Sequence, residues 1–349
     1  MRTLHKAAHH ARHLVFGAGG TRAFLNGAGS TFACYLAGIY NWTSIGGVSG
    51  GSIPALLAAG GVHPREIVRH AVNTDFSDLL VQHDTFGNML KQRLFRRKSA
   101  GRLLRHGIVR SEGLGNYLER IVPEWPDKFW TMAVAGKRIL LFTKQGVFVY
   151  RRGRCHQLTT EPAPISLAIR ASCAVPGIIE AVEYKNHVLF DGALTKYGHC
   201  PTEMAMQHFG AEVDDIIGVD LVRHSGNRRE RFLETLARAL SGTLRQRPQL
   251  PFARAGMLVR TDMEDFPSLD FTIPTELKQR AVLAGFRAAC HELFLSGTID
   301  ATRLHELYSQ SEEWSAFELL LKSTEEVEHP EPVGAPTPYP RRWWQFWRR

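Results

Sequence analysis

Two glycine-rich turns within the first sixty residues constrain the fold of this chain most strongly. Each turn follows a short apolar run typical of a buried strand, residues 13–17 and 42–48, and precedes a helical stretch. Pro54 falls in the first turn of the second helix, where its missing N–H costs no hydrogen bond. Such alternation predicts an α/β fold, a three-layer α/β/α sandwich with a mostly parallel central sheet.

The later part of the chain continues this alternation. The sequence predicts mostly helical structure over residues 64–120, and a hairpin within 137–152 that turns at Gln145-Gly146. Further strands are expected near 179–184, 187–190, 216–222 and 256–260, and further helices near 164–172, 274–295 and 302–322.

Composition places the chain among soluble globular proteins. Of its 349 residues, 44% are hydrophobic and 22% are charged, which excludes a disordered or collagenous chain. The five scattered cysteines form no CxxC pair and predict semi-buried thiols rather than a zinc ribbon or a disulfide framework. The sequence contains neither a long apolar span nor an N-terminal signal peptide, so we expect a cytoplasmic protein. Four early histidines are interpreted as a solvated lead-in rather than a metal site: His5, His9, His10 and His13.

The net charge of +9 is concentrated in two segments. Residues 91–110 carry eight Lys or Arg and no acid, and residues 341–349 carry four Arg interleaved with Trp and Phe. Localised charge of this kind favours an anionic surface over nucleic acid. We therefore expect transient contact with an anionic membrane through both segments, the second reached by a Pro-rich linker. The alternative for the second segment is a tail whose aromatic side chains pack back on the fold.

The strongest chemical signal is Gly47-Val48-Ser49-Gly50-Gly51, a GxSxG between a predicted strand and a predicted helix. A nucleophilic serine on such a sharp turn needs small neighbours, because only they tolerate the strained backbone. The helix N-terminus behind Ser49 favours negative charge on its oxygen. Ser49 is thus a candidate nucleophile, with Gly47 and Gly51 as its small neighbours; the alternative is a purely structural turn.

The first glycine-rich turn, Gly17-Ala18-Gly19-Gly20-Thr21-Arg22, allows several interpretations. It lacks the GK[ST] ending of a P-loop, and it lacks the third glycine and the distant acid of a dinucleotide site. Exposed amides at the start of a helix instead suit an oxyanion hole. The remaining alternative is an ordinary tight turn.

A third signal is Asp191-Gly192-Ala193, which follows the apolar run His187-Val188-Leu189-Phe190. An aspartate at the end of a sheet strand is a common position for a catalytic group in α/β folds. The same dipeptide also occurs in ordinary hairpin turns.

The order of these motifs resembles the patatin-like phospholipase family. An α/β-hydrolase normally forms several strands before its nucleophile, whereas here Ser49 follows the second predicted strand. The resemblance covers about residues 13–295 and includes an ASxAxPG-type segment, Ala171–Gly177. It implies a Ser49–Asp191 dyad without histidine, with Asp191 as the general base, an oxyanion hole at Gly19, Gly20 and Thr21, and no cofactor or metal.

Two departures from the family pattern are visible. Ala18 and Ala23 replace two glycines of the GGGxRG motif, and no Asn-x-Pro follows Ala193 at the family's spacing. His199 has two interpretations. Either it completes a Ser-His-Asp triad, or it is a surface or supporting histidine.

The sequence therefore predicts a serine lipid acyl hydrolase of phospholipase A type. The alternatives are a soluble carboxylesterase or thioesterase with the same dyad, and a catalytically silent lipid-binding protein. The expected organisation is a lead-in over 1–12, a catalytic domain over 13–325 with a lid-like basic insertion at 64–130, a linker over 326–340 and a tail over 341–349.

Overall fold

The computed structural model describes residues 12–82, 107, 109–195, 197, 199–222, 253–263, 266 and 271–324. Its strands are β1 (His13–Phe16), β2 (Ser44–Gly47), β3 (Val81–Gln82), β4 (Val109–Arg110), β5 (Phe129–Ala135), β6 (Arg138–Thr143), β7 (Gly146–Arg151), β8 (Arg154–Thr159), β9 (Val182–Tyr184), β10 (His187–Asp191), β11 (Ile216–Leu221) and β12 (Met257–Thr261). Its α-helices are α1 (Thr21–Leu36), α2 (Ser52–Ala59), α3 (Pro64–Asn73), α4 (Phe76–Leu79), α5 (Glu112–Ile121), α6 (Ile165–Ser172), α7 (Thr202–Phe209), α8 (Thr275–Leu295), α9 (Ala301–Ser309) and α10 (Trp314–Ser323). The predicted α/β architecture is confirmed.

The central sheet is mixed. Its strand order is β12-β11-β1-β2-β5-β6-β7-β8, and β10 pairs with both β5 and β9. The pairings from β12 to β5 are parallel, whereas those from β5 to β8, and both pairings of β10, are antiparallel. The parallel arrangement expected from the sequence thus forms one half of the sheet, and β5 is the strand at which the pairing changes.

Both faces of β1 are covered, which makes the fold a three-layer sandwich. Leu14 and Phe16 pack in one apolar cluster with residues of α1, α3 and α8, while Val15 packs in a second cluster on the opposite face with Met204 of α7. Successive side chains of a strand point to opposite faces, so a strand covered on both faces is apolar at every position.

Helix α1 is fixed by a close crossing with α8. A Cβ built on Gly29 would lie 2.1 Å from the carbonyl oxygen of Val282, and one built on Gly285 would lie 2.5 Å from that of Asn26. The Ser30 hydroxyl donates to the carbonyl of Gly285 across the same contact. Small residues at this crossing therefore set the position of α1, whose N-terminus follows the first glycine-rich turn.

Most predicted elements are present, with some corrections. The hairpin turn is at Lys144-Gln145, one residue before the predicted place, because β7 already begins at Gly146. The predicted helix over 302–322 is two helices, α9 and α10. The Arg287 guanidinium contacts both the carbonyl and the hydroxyl of buried Ser311, where the helix is interrupted. Strands β3, β4, β5 and β8 and helix α7 were not predicted.

Several predicted segments lie outside the described residues. These are the lead-in before residue 12, most of the basic run 91–110, and the linker and tail over 326–349. The domain boundaries stay predictions. Within the part of the chain that the structure describes, no helix is both long and apolar enough to cross a membrane.

Candidate active site

Ser49 lies at a strained turn between β2 and α2. Val48 is extended, and Ser49 then adopts a φ of 55°, in the left-handed region. This conformation is rare for a residue with a side chain and costs on the order of 1–3 kcal/mol. One 3-10 turn, Ser49–Gly51, leads directly into α2. The backbone therefore places Ser49 at the N-terminal end of that helix.

The glycines around Ser49 are required by close backbone contacts. A Cβ on Gly47 would lie 2.2 Å from the carbonyl oxygen of Gly51, and a Cβ on Gly50 would lie 1.9 Å from that of Gly20. The turn therefore packs against itself and against the first glycine-rich turn. Gly50, which sequence analysis left outside the candidate site, is the point of contact between the two turns.

Asp191 is held at the end of β10, opposite Ala133 of β5. Its amide donates to the carbonyl of Ala174 (2.8 Å), and its Oδ1 accepts from the amide of Ala193 (2.8 Å). The remaining oxygen, Oδ2, accepts a hydrogen bond of 2.6 Å from Oγ of Ser49. Both carboxyl oxygens are thus partnered, and the residue is buried.

Burial raises the pKa of Asp191 to about 6, although the hydrogen bonds from Ser49 and from the Ala193 amide act in the opposite direction. At neutral pH the carboxylate is therefore mostly ionised, yet its proton affinity is close to what a general base needs near pH 7. The pair can transfer a proton from the serine hydroxyl to the carboxylate.

The first glycine-rich turn presents backbone amides beside Ser49. The amides of Gly17 and Ala18 donate to Val219 and His199, whereas those of Gly19 and Gly20 have no acceptor among the described residues. Gly20 directly precedes α1, whose first amides have no partner within the helix. Unpaired amides at the positive end of a helix are suited to binding negative charge.

A mainly apolar cleft opens at Ser49, with about 440 Å³ of empty space that includes the open solvent at its mouth. Gly20, Thr21 and Gly50 line it near the serine, while Gly19 is not among its lining residues. The apolar part includes Ile53, Phe76, Leu80, Leu114, Ile179 and Phe271. None of the described residues that line it is charged.

A model of the patatin-like phospholipase family matches residues 14–206, more than half of the chain. The chain belongs to this family. Patatin-like phospholipases are lipid acyl hydrolases, and the match includes Ser49, Asp191 and both glycine-rich turns. No curated protein sequence matches the chain. Among solved structures, the chain is similar to VipD from Legionella pneumophila, with a TM-score of 0.48 and 12% identity over 91% of this chain and 76% of that chain.

The patatin-like motifs, distant in sequence, meet at Ser49. The segment Ala171–Gly177 reaches Ser49 through Ser172, whose Oγ accepts from the Ser49 amide (3.0 Å), and it reaches Asp191 through the Ala174 carbonyl. Together with the Gly50–Gly20 contact, this brings all four motifs into one site.

The two alanines that replace family glycines are buried in the apolar core. Ala18 packs in the cluster that contains Val15, and Ala23 packs in the cluster that contains Leu14 and Phe16. Neither lines the cleft. The first glycine-rich turn and the first turn of α1 thus accommodate both methyl groups.

No described histidine side chain bonds Ser49 or Asp191. His199 contacts the first glycine-rich turn through its backbone carbonyl, which accepts from the amide of Ala18. The interpretation of His13 as part of a solvated lead-in is wrong: it is buried in β1, where its Nδ1 is 2.8 Å from the Ser44 hydroxyl. No group of three or more metal-ligating side chains occurs within the described ranges.

Sequence reasoning gave no role to three residues of the site. Gly50 had a usable signal, because the amide after a nucleophile commonly serves an oxyanion hole. Ser172 lies in the Ala171–Gly177 segment that carries the family resemblance, whereas Thr131 lies in no recognised motif. The hydroxyl contacts of both depend on α6 and β5 meeting the turn of Ser49.

Proposed function

We propose that this patatin-like protein is a serine lipid acyl hydrolase of phospholipase A type in which Ser49 is the nucleophile and Asp191 the general base. The observation that carries the proposal is the 2.6 Å hydrogen bond from Ser49 Oγ to Asp191 Oδ2 at the mouth of an apolar cleft. A nucleophile bonded to a base within this distance is the arrangement that activates a hydroxyl.

In the first half-reaction, Ser49 Oγ forms a bond to the ester carbonyl carbon while its proton moves to Asp191 Oδ2. The carbonyl π-electrons move to oxygen and give a tetrahedral oxyanion. The C–O bond to the alcohol then breaks, and Asp191 returns the proton to the leaving alkoxide. The products are an acyl-Ser49 ester and the free alcohol, for example a lysophospholipid.

In the second half-reaction, water attacks the acyl-serine and gives a proton to Asp191. The tetrahedral intermediate collapses, the Ser49 oxygen leaves, and Asp191 returns the proton to it. The products are a carboxylic acid and the original serine. The 2.8 Å bond from the Ala193 amide to Oδ1 keeps Oδ2 directed at Ser49 in both steps.

The amides of Gly19, Gly20, Thr21 and Gly50 are proposed as the oxyanion donors. The absence of acceptors for the Gly19 and Gly20 amides among the described residues supports this role. Removing one such donor from an enzyme typically costs about 3–4 kcal/mol of transition-state stabilisation. Because Gly20 and Gly50 touch, a donor from each turn can reach the same oxygen.

The cleft is proposed to hold the acyl chain. Its apolar lining without charged groups favours a hydrocarbon chain over a polar head group.

The head group then lies toward the solvent, where an anionic membrane would meet the basic segments 91–110 and 341–349. These segments lie largely or wholly outside the described residues, so membrane contact is inferred from their charge. Deleting residues 341–349 should weaken vesicle binding and leave turnover of a soluble ester unchanged.

Labelling with a fluorophosphonate probe tests the proposal. The probe should add to the wild-type chain at Ser49, identified by peptide mass spectrometry, and fail to add to Ser49→Ala. Ser30→Ala provides a matched control, since Ser30 is another buried, hydrogen-bonded serine that is outside the site. Equal labelling of Ser49→Ala and wild type would exclude Ser49 as the nucleophile. A wild-type chain that neither labels nor hydrolyses esters would favour a silent lipid-binding protein.

A further inference from the structure

Two buried hydroxyls link the backbone of Gly47 to the backbone of Ser49. Oγ of Ser172 accepts from the Ser49 amide (3.0 Å), and Oγ1 of Thr131 lies 2.9 Å from both Ser172 Oγ and the carbonyl oxygen of Gly47. Ser172 and Thr131 are both completely buried. A series of hydrogen bonds between buried groups thus supports the Ser49 turn from within the core.

The Thr131 hydroxyl faces two acceptors. Its Oγ1 donates toward the carbonyl oxygen of Gly47 and toward Ser172 Oγ, so its single proton is shared between them. Ser172 Oγ also accepts the N–H of Ser49. Removing either hydroxyl therefore leaves a buried neighbour, the Gly47 carbonyl or the Ser49 amide, with an unmet bond.

These hydrogen bonds end on the strained residue. They link the carbonyl of Gly47 to the amide of Ser49, the residue whose φ is 55°. A strained conformation persists only when its surroundings fix it strongly. On the other side of the turn, the Ser52 hydroxyl donates to the Ser49 carbonyl (2.5 Å). Ser49 is therefore held through both its amide and its carbonyl.

The elements that carry these hydroxyls also hold the general base. Thr131 lies on β5, where it pairs with Gly47, and two residues later Ala133 pairs with Asp191. Ser172 ends α6, and two residues later the Ala174 carbonyl accepts from the Asp191 amide. The separation of Ser49 from Asp191 is thus fixed by two short segments, each of which contacts both.

We propose that Ser172 and Thr131 are positioning residues that hold the strained Ser49 turn so that Oγ is directed at Asp191 and the substrate. This inference rests on the proposed function. Neither hydroxyl touches the reacting atoms, and neither residue lines the cleft. Their loss should therefore slow the chemical step and leave the binding of the acyl group unchanged.

A pair of variants at Thr131 separates this role from packing. Thr131→Val keeps the branched shape and removes the hydroxyl, whereas Thr131→Ser keeps the hydroxyl and removes a methyl group. Ser172→Ala removes the other hydroxyl. Ser30→Ala is the control for losing a buried hydroxyl elsewhere, since its Oγ bonds Gly285 away from the site. Each variant is compared by kcat and KM on a soluble short-chain ester, by the rate of fluorophosphonate labelling, and by Tm.

We expect Thr131→Val and Ser172→Ala to lower kcat and the labelling rate by about 10- to 100-fold, since small misplacements of reacting groups have effects of this size. KM should stay within about twofold, Thr131→Ser should remain near wild type, and Ser30→Ala should lower Tm alone. If Ser172→Ala does not fold, the comparison of Thr131→Val with Thr131→Ser tests the inference. Equal kcat in Thr131→Val and Thr131→Ser would overturn the inference. A wild-type chain that reacts with neither ester nor probe would instead overturn the proposed function, and this inference with it.

Discussion

Oγ of Ser49 donates to Oδ2 of Asp191 across 2.6 Å, although 142 positions separate the two residues in the chain. Strand β5 makes this possible, because β2 pairs in parallel with its first residues and β10 pairs in antiparallel orientation further along the same side, opposite β6. Ser49 follows the end of β2, and Asp191 is the last residue of β10. The two strands thus run toward each other along β5, and their carboxyl ends meet.

The pH dependence of turnover should report the ionisation of Asp191. Burial raises the pKa of this carboxyl to about 6, and only the ionised form can accept the serine proton. We expect kcat/KM on a soluble ester to rise with pH through an acid limb near pH 6. An acid limb near pH 4 would indicate that a less buried carboxylate acts as the base.

Stability should change with pH in the opposite direction. A carboxyl whose folded pKa is about 6 and whose unfolded pKa is about 4 binds its proton more tightly in the folded state. The free energy of unfolding therefore falls as pH rises from about 4 to 6, by an amount on the order of 2–3 kcal/mol. Urea unfolding of wild type and Asp191→Asn at both ends of this range measures the difference. A slope of equal size in Asp191→Asn would assign the effect to other groups.

Gly50→Ala should inactivate the protein. Its Cβ would lie 1.9 Å from the Gly20 carbonyl oxygen, so the two glycine-rich turns would have to separate and the proposed oxyanion donors with them. We expect kcat on a soluble ester to fall by about 100-fold or more, as loss of an oxyanion donor does. Gly218→Ala is the matched control, because its Cβ would meet the end of the flexible Leu258 side chain. Similar kcat values for Gly50→Ala and Gly218→Ala would show that hydrolysis does not depend on the contact at Gly50.

Acyl-chain length should be limited by the apolar cleft. Leu80→Trp adds bulk to its lining, so hydrolysis of long-chain p-nitrophenyl esters should fall while that of the acetate persists. Leu319→Trp, on the exposed face of α10, is the control. Parallel losses on both esters would show that Leu80 supports the fold rather than the chain-length preference.

One cysteine should react rapidly with a thiol reagent in the native protein. Cys155 is exposed, whereas Cys34, Cys173, Cys200 and Cys290 are buried. Burial raises the pKa of Cys173, beside the cleft, to about 12, which leaves almost no thiolate near pH 8. A timed thiol titration with peptide mapping should find Cys155 first, with activity retained. Early modification of Cys173 would mean that the cleft opens more than the structure indicates.

The two glycine-rich turns could be predicted from the sequence because the residues that form them are neighbours in the chain. The glycines around Ser49 and the apolar run before them lie within a few residues of each other, so the apolar run indicates the strand and the glycines indicate the turn. The approach of Asp191 to Ser49 required the family resemblance, since spacing alone does not bring such distant residues together.

The supporting contacts were beyond sequence reasoning for a physical reason. Strand β5 is almost completely buried and lacks a period-2 pattern, so its pairing with both β2 and β10 was not visible. Thr131 lies in no recognised motif, and the family segment that contains Ser172 does not reveal that its hydroxyl bonds the Ser49 amide. Contacts of this kind depend on tertiary packing, which no local pattern encodes.

Hydrolysis of phospholipid vesicles, followed by mass spectrometry of the products, tests the central claim most directly. Wild type should release free fatty acid and lysophospholipid, whereas Ser49→Ala, Asp191→Asn and the double variant should all be inactive to a similar degree, since residues that act as a unit are not additive. All should keep the wild-type circular dichroism spectrum. Near-normal product formation by folded Asp191→Asn, or by folded Ser49→Ala, would contradict the Ser49–Asp191 mechanism.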